Sequence, residues 1–272
     1  MTSRVLAAAA AIAFSLCANA ADEGSRVDAT LEINGRTIRL TNVLVIQSGN
    51  EEGLDDAPHL LVYLSDKPIP LQAATGASTL RAQAWARTAN VSAVVLRGDP
   101  AGKSADGSAS VLAAPGIEPG GFASLSSNQG FPQLRVAAGR ASGTASFGGA
   151  GTLVKASFDA PIAAVTISQD LKDREAAVSA PAKAYIAYMA GLKKGDLKEA
   201  GRYASMARIK QIEQFRSQAG EMFKNMTRQM PDSAAIAKSV RRVIVRGNLA
   251  SVVLSTKEVN ELAREGDDWK VE

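Results

Sequence analysis

Apolar residues come in short alternating runs from Arg26 to about Ile167, and at helical spacing for some sixty residues after that. VDATLEIN is followed by Asn34-Gly35 and then by RTIRLTNVLVIQ. Asn-Gly between two alternating runs predicts a β-hairpin, because both residues accept a positive φ. HLLVYLSD, VSAVVLRG, SASVLAA, PQLRVAAGRASGTASF and GTLVKASFDAPIAAVTIS continue the pattern, with turns at Asp99-Pro100, Asp106-Gly107, Pro119-Gly120-Gly121 and Gly148-Gly149. Regular strands broken by Gly/Pro turns predict a mostly antiparallel β domain, a sandwich or an open barrel. One stretch departs from it. Thr79 to Ala89 has helical spacing, with Leu80, Ala84 and Trp85 near one face, and predicts a helix crossing the β domain.

The period then changes. Ser179-Ala180-Pro181 combines a capping hydroxyl with an early proline, a helix start. Tyr185, Tyr188, Met189 and Leu192 follow at i, i+3, i+4 and i+7, one helical stripe ended by Gly195. Asp196 and Glu199 fit a capping box for a short helix to about Tyr203. A third helix is expected from Met206 to Met226. Its buried line would hold Ile209, Ile212, Phe215 or Arg216, Ala219, Met222 or Phe223, and Met226, and Met230-Pro231 would close it. SVRRVIVRG, LASVVLST, EVNELAREG and DWKVE then alternate as strands, with turns at Gly247-Asn248 and Gly266-Asp267. Trp269 and Val271 should face the helices, with Lys270 pointing outward. The prediction is an α+β chain: a β-rich domain over 21–170, then a domain of helices followed by a curved sheet over 171–272.

That order of elements resembles the NTF2-like (cystatin-like, cone-shaped α+β) superfamily over Pro181 to Glu272, and more narrowly its exported bacterial branch of unassigned function. The resemblance is carried by AYMAGLKKGDLKEA, by the RGNLASVVL hairpin and by the terminal GDDWKV. It implies strands curled into a cone around the first helix, with the tryptophan on the last or near-last strand. It also implies a possible homodimer through the open sheet. About four strands fit after the helices, where many relatives carry five or six. The β region before them looks like modules of exported bacterial proteins with no assigned function.

Composition adds three constraints. MTSRVLAAAAAIAFSLCANA has a basic start, an apolar run and a small-x-small ending, so residues 1–20 read as a secretory signal peptide cleaved near Ala20. The run is too short for a bilayer, which needs about 20 residues, and nothing after it suggests a transmembrane segment. Cys17 is the only cysteine, so cleavage leaves neither a disulfide nor a thiolate site. Residues 171–272 carry 19 Lys/Arg against 13 Asp/Glu, whereas residues 21–170 carry 11 against 14. The shift in charge coincides with the shift in period. Aromatics do not interleave with the basic residues as base stacking would need, which argues against nucleic acid.

Candidate chemistry is sparse. Tyr185 and Tyr188, with Trp269 opposite, are the groups that could line a ligand pocket in the cone. Related enzymes of the isomerase or dehydratase type pair a tyrosine donor with a carboxylate there; Asp196 is more simply a helix cap, and Tyr203 is the other tyrosine nearby. Lys238, Arg241, Arg242 and Arg246 form the densest basic cluster, with Arg242 and Arg246 flanking Ile244 on one strand face that could meet an anionic partner. His59 is the only histidine, so neither a zinc set nor a Ser-His-Asp set can be built on it. The acidic run Glu51 to Asp56 lacks calcium-loop spacing, and Gly143 to Gly151 lacks the Lys-Ser/Thr of a phosphate loop. No cofactor or metal is expected. The reading is an exported, periplasmic or secreted, non-enzymatic protein that binds an unknown protein or a small apolar ligand. A small-substrate enzyme and an envelope assembly factor working through the basic face are the alternatives.

Overall fold

The computed structural model describes residues 24–48, 59–75, 80–115, 117, 123–149 and 151–272. The expected signal segment, with Cys17, and the acidic run 51–56 lie outside the described residues. The fold is α+β, a large curled mixed sheet followed by a second, antiparallel sheet with helices.

The first unit contains β1 (Arg26–Ile33), β2 (Arg36–Leu40), β3 (Asn42–Ser48), β4 (His59–Ser65), α1 (Leu71–Ala74), α2 (Leu80–Thr88), β5 (Ala93–Gly98), β6 (Gly107–Ala113), β7 (Ala123–Ser127), β8 (Gln133–Ala137), β9 (Arg140–Gly149) and β10 (Thr152–Ala163). Asn34 and Gly35 turn β1 into β2 with φ of 51° and 72°, as the hairpin signal requires. RTIRLTNVLVIQ is not one strand but two. The chain changes layer at Thr41, so β2 pairs with β1 while β3 pairs with β4. β10 holds the layers together. It pairs antiparallel with β1 and β9 over most of its length, and Ile162 and Ala163 then pair parallel with Val45 and Ile46 of β3. Leu31, Phe147, Val154 and Phe158 of one layer thereby pack with Val45, Val62, Leu96 and Val111 of the other. Phe131 and Phe147 meet edge to face at 5.4 Å.

The β3–β6 layer is covered on both faces. Its far side, with Leu44, Ile46, Leu61, Tyr63 and Val95, packs under α1 and α2. This is why HLLVYLS is apolar throughout rather than alternating. The inward face of α2 holds Ala82 and Ala86, with Trp85 partly buried, whereas Ala84 is exposed. Of the expected line, Ala84 is therefore turned away from the sheet and Ala82 and Ala86 take its place; the Leu80 side chain lies outside those described.

The second unit contains β11 (Gln169–Lys172), α3 (Asp173–Val178), α4 (Ala180–Lys194), α5 (Leu197–Ala200), α6 (Met206–Gln218), α7 (Gly220–Gln229), α8 (Ser233–Ser239), β12 (Val240–Arg246), β13 (Leu249–Leu254), β14 (Val259–Glu265) and β15 (Asp268–Val271). The strands lie in the order β11-β12-β13-β14-β15, so a strand before the helices joins the four after them. α4 lies against this sheet. Tyr185, Tyr188 and Leu192 share a core with Val243, Val245, Val252, Leu262 and Val271, with Trp269 at its margin. Ser179 Oγ caps α4 by accepting from the Ala182 amide, and Asp196 caps α5 by accepting from Glu199 at 2.9 Å.

The expected long helix is broken. Ala219 sits at φ −138° and ψ 49°, so α6 stops and α7 leaves in a new direction. The turn brings Phe223 and Thr227 inward, with Phe215 edge-on to Phe223 at 6.3 Å. Met206, Phe215, Met222 and Met226 are left exposed. A single periodic line through Ala219 could not have foreseen that redirection. Nor does Met230-Pro231 end the helices, because Asp232 caps α8 directly after it.

β15 closes the sheet. Val271 is buried, its amide donates to the Tyr203 carbonyl at 2.8 Å, and its carbonyl accepts from the Ser205 amide at 2.8 Å. Trp269 and Val271 share the helix-facing side as expected. Lys270 does not point freely outward; its ammonium donates to the Arg202 carbonyl.

Deleting residues 267–272 removes strand β15, with a buried valine, a partly buried tryptophan and the Val271 hydrogen bonds to Tyr203 and Ser205. The second unit should lose about 3 kcal/mol or more and melt well below the full chain in a thermal scan. Gly130→Ala should destabilise the first unit by about 1–3 kcal/mol in denaturant titration, since the added methyl would sit 2.1 Å from the Phe147 ring.

Candidate functional site

The second sheet presents two different faces, and the candidate side chains divide between them. Cross-strand register assigns them: Ile244 lies opposite Ser251, Ser251 opposite Glu261, and Glu272 follows Val271 beside Glu261. Val252 lies opposite Asn260, and Leu262 opposite Val271, on the other side.

The helix-facing side contains the tyrosines. Tyr185 and Tyr188 are each about 2% exposed. Burial raises the Tyr185 hydroxyl well above its usual value; the charge of Glu258 and the neighbouring Tyr188 add to this, while the Asn260 amide and Arg208 oppose it. The Asn260 amide is the hydrogen-bonding neighbour of the Tyr185 hydroxyl, but its enclosed Nδ2 has no well-aligned acceptor. The Tyr188 hydroxyl accepts from Arg208 Nε at 3.2 Å, and Ser205, capping α6, fixes the turn that carries that arginine. Two buried phenols thus converge with an amide and a guanidinium, with Trp269 on the same side of the sheet. Asn260 and Arg208 gave no signal in the sequence: neither belongs to a motif, and only folding brings them to the tyrosines.

The opposite face is also covered. Ile244, Ser251, Val253 and Arg246 are buried there. Arg81 of α2 reaches this face from the first unit. Its Nη2 lies 2.7 Å from Glu272 Oε2 and 3.5 Å from Glu261 Oε2. A surface that the NTF2-like resemblance would give to a dimer contact is here occupied within one chain.

The basic cluster does not form one surface. Lys238 is exposed at the end of α8, and Arg241 sits at a β-bulge 3.7 Å from Asp173. Arg242 forms a two-pronged bond to Asp170 at 2.7 and 2.8 Å, and the buried Arg246 donates to Ser251 Oγ at 3.2 Å. Arg242 and Arg246 do flank Ile244 on one face, but that face is directed into the molecule.

His59 begins β4 and lines a cleft with Arg97, Asp99, Ser104, Asp106 and Ser108. Asp99 accepts from the amides of Ala101, Lys103 and Ser104, which hold its carboxyl below the usual range and make it the organiser of a loop. Among the described residues, no three His, Cys, Asp or Glu side chains gather as a metal site. The Gly143–Gly149 stretch is strand β9; a Cβ at Gly143 would lie 2.2 Å from the Gln133 carbonyl, so its glycine serves close strand pairing. No helix among the described residues is long and apolar enough to cross a membrane. Comparison with family models, with curated proteins and with solved structures returned no match.

Asp170 supplies a pH test. The Arg242 hydrogen bond, then its charge, hold the Asp170 carboxyl below its usual value against the opposing effect of burial. The folded state therefore favours the ionised form. That stability is fully present above the ordinary carboxylate value, roughly pH 4, and is lost as pH falls through the lower folded value. Asp170→Asn should be less stable at pH 7 by roughly 0.5–1 kcal/mol, as the pair is a third exposed. In urea titrations the difference should shrink below about pH 4.

Proposed function

We propose that this is an exported, non-enzymatic binding protein whose second unit is an NTF2-like module taking a small, mainly apolar ligand between α4 and the sheet. The supporting observation is the enclosed Nδ2 of Asn260, which has no well-aligned acceptor although its amide neighbours the Tyr185 hydroxyl. A buried donor without an acceptor costs about 1–3 kcal/mol, and a ligand carbonyl or hydroxyl would remove that penalty. Trp269 and Tyr188 would contact the apolar body, and Arg208 would close the site from α6. Export rests on residues 1–20, with their basic start, apolar run and Ala18-Asn19-Ala20 ending.

Proton-transfer chemistry has less support. The acid that acts on Tyr185 is Glu258, which is exposed, and Asp196 is occupied in capping α5. A general base of the isomerase kind would sit in the apolar interior, where burial tunes it.

The test is a thermal-shift and tryptophan-fluorescence screen against small apolar compounds carrying one hydrogen-bond acceptor. At a hundredfold excess over Kd, a true ligand stabilises the protein by about 2.7 kcal/mol, and Trp269 reports it. Asn260→Ala should weaken that ligand roughly tenfold, the equivalent of one hydrogen bond. A screen in which no compound shifts either signal, or in which Asn260→Ala binds as tightly as the parent, removes this reading.

A further inference from the structure

The two units meet across a mixed and modest seam. Of the second sheet's first-unit side, Ile244, Leu249, Val253, Val259 and Ala263 are apolar, while Ser251, Glu261, Arg242 and Arg246 are polar or charged. No element of one unit packs extensively on an element of the other among the described residues. The covalent connection is short, residues 164–168. Ser168 at its end is tied to the second unit by its amide and hydroxyl, both donating to the Val245 carbonyl. Polar seams of this kind allow neighbouring units to move unless something specific holds them.

Arg81 is placed to do that. It stands in the first turn of α2, its Nη1 donating to the Thr75 carbonyl at 3.3 Å behind it. Its Nε donates to Glu272 Oε2 at 2.9 Å, and the two glutamates it approaches come from β14 and from the residue after β15. Arg81 and Glu261 are mostly buried, and Glu272 is 37% exposed. The surroundings are charged as well: Arg97 of β5 and Glu261 both act on Tyr63 of β4, whose hydroxyl donates to the Ala74 carbonyl. Although Nη2 is close to both carboxylates, it is enclosed and not oriented to donate to either. Arg81 thus combines one directed hydrogen bond to Glu272 with charge contacts to both carboxylates, and the desolvation of such buried ions offsets much of their attraction.

We propose that Arg81 is the bolt of an electrostatic latch. Closed, it holds the second sheet against the helical layer of the first unit through Glu261 and Glu272. Open, it lets the second unit swing about residues 164–168 with both units still folded, uncovering Ile244 and Val253. This does not depend on a ligand in the second unit.

X-ray scattering and amide hydrogen exchange on the full chain test it. Arg81→Gln should enlarge the radius of gyration and speed exchange in β14 and β15 about tenfold, with exchange in β4, β5 and α4 unchanged. Charge reversal should undo the effect: Arg81→Glu opens the molecule, and Arg81→Glu with Glu261→Arg recloses it. Unchanged scattering and exchange in Arg81→Gln, or failure of the reversed pair to restore compactness, overturns the latch. Should Arg81→Gln unfold instead, the unaltered chain decides. Expansion between 0.05 and 1 M NaCl with secondary structure retained supports the latch, and an unchanged scattering curve refutes it.

Discussion

The helix-facing side of the second sheet must be covered, and much of the second unit's architecture follows from that requirement. Val243, Val252 and Leu262 lie on that face, and Ile244 and Val253 lie on the other among polar neighbours. Helices α3 to α8 cover the first face, and α4 supplies its two large phenols. The second face meets the first unit at Arg81, which lies against Glu261 and Glu272. β15 serves both: Trp269 and Val271 turn toward the helices, and Glu272 toward Arg81. The closing strand is consequently the meeting point of the helix-side site and the seam between units.

The two sides differ in how their polar groups are satisfied. On the seam side, Asp170 and Arg242 form a bidentate pair of the kind that fixes orientation as well as charge. Arg81 nearby donates its Nε to Glu272 but leaves its Nη2 without an aligned acceptor. On the helix side, Tyr188 has a partner in Arg208, while Asn260, beside Tyr185, leaves its Nδ2 without a well-aligned acceptor. Well-satisfied polar groups define a fixed structure; unsatisfied ones mark where something else is expected to bind or move. The functional proposals rest on the latter.

Local signals in the sequence were legible because their causes are local. Asn34-Gly35, the Ser179 cap, the Asp196 cap and the Gly266-Asp267 turn each involve residues within a few positions of one another, and each is found in the structure. What was not legible depended on distant neighbours. The break at Ala219 redirects α7 so that Phe223 and Thr227 are buried, which no local pattern shows. The layer change at Thr41 is set by the demands of β10, and Thr41 gives no local warning of it. Arg81 meets Glu272 across a separation of 191 residues, with no pattern in either segment to announce it. Of the candidate site, Tyr185, Tyr188 and Trp269 could be placed on the correct face from periodicity, whereas Asn260 and Arg208 could not.

The pairing of β1 with β10 also sets a schedule for assembly. Arg26 waits for Asp159, and Ile33 for Thr152. At ordinary rates of translation that interval is on the order of ten seconds. During it β1 and β2 can form only a lone hairpin, which is marginal in water. β3 to β6, by contrast, are neighbours in sequence and can pair early, and their Val45, Val62 and Leu96 side then lacks its cover. A nascent chain halted between residues 113 and 152 would present that apolar sheet face to whatever is near. The late arrival of a single strand thus sets how long the growing chain needs the protection of a chaperone.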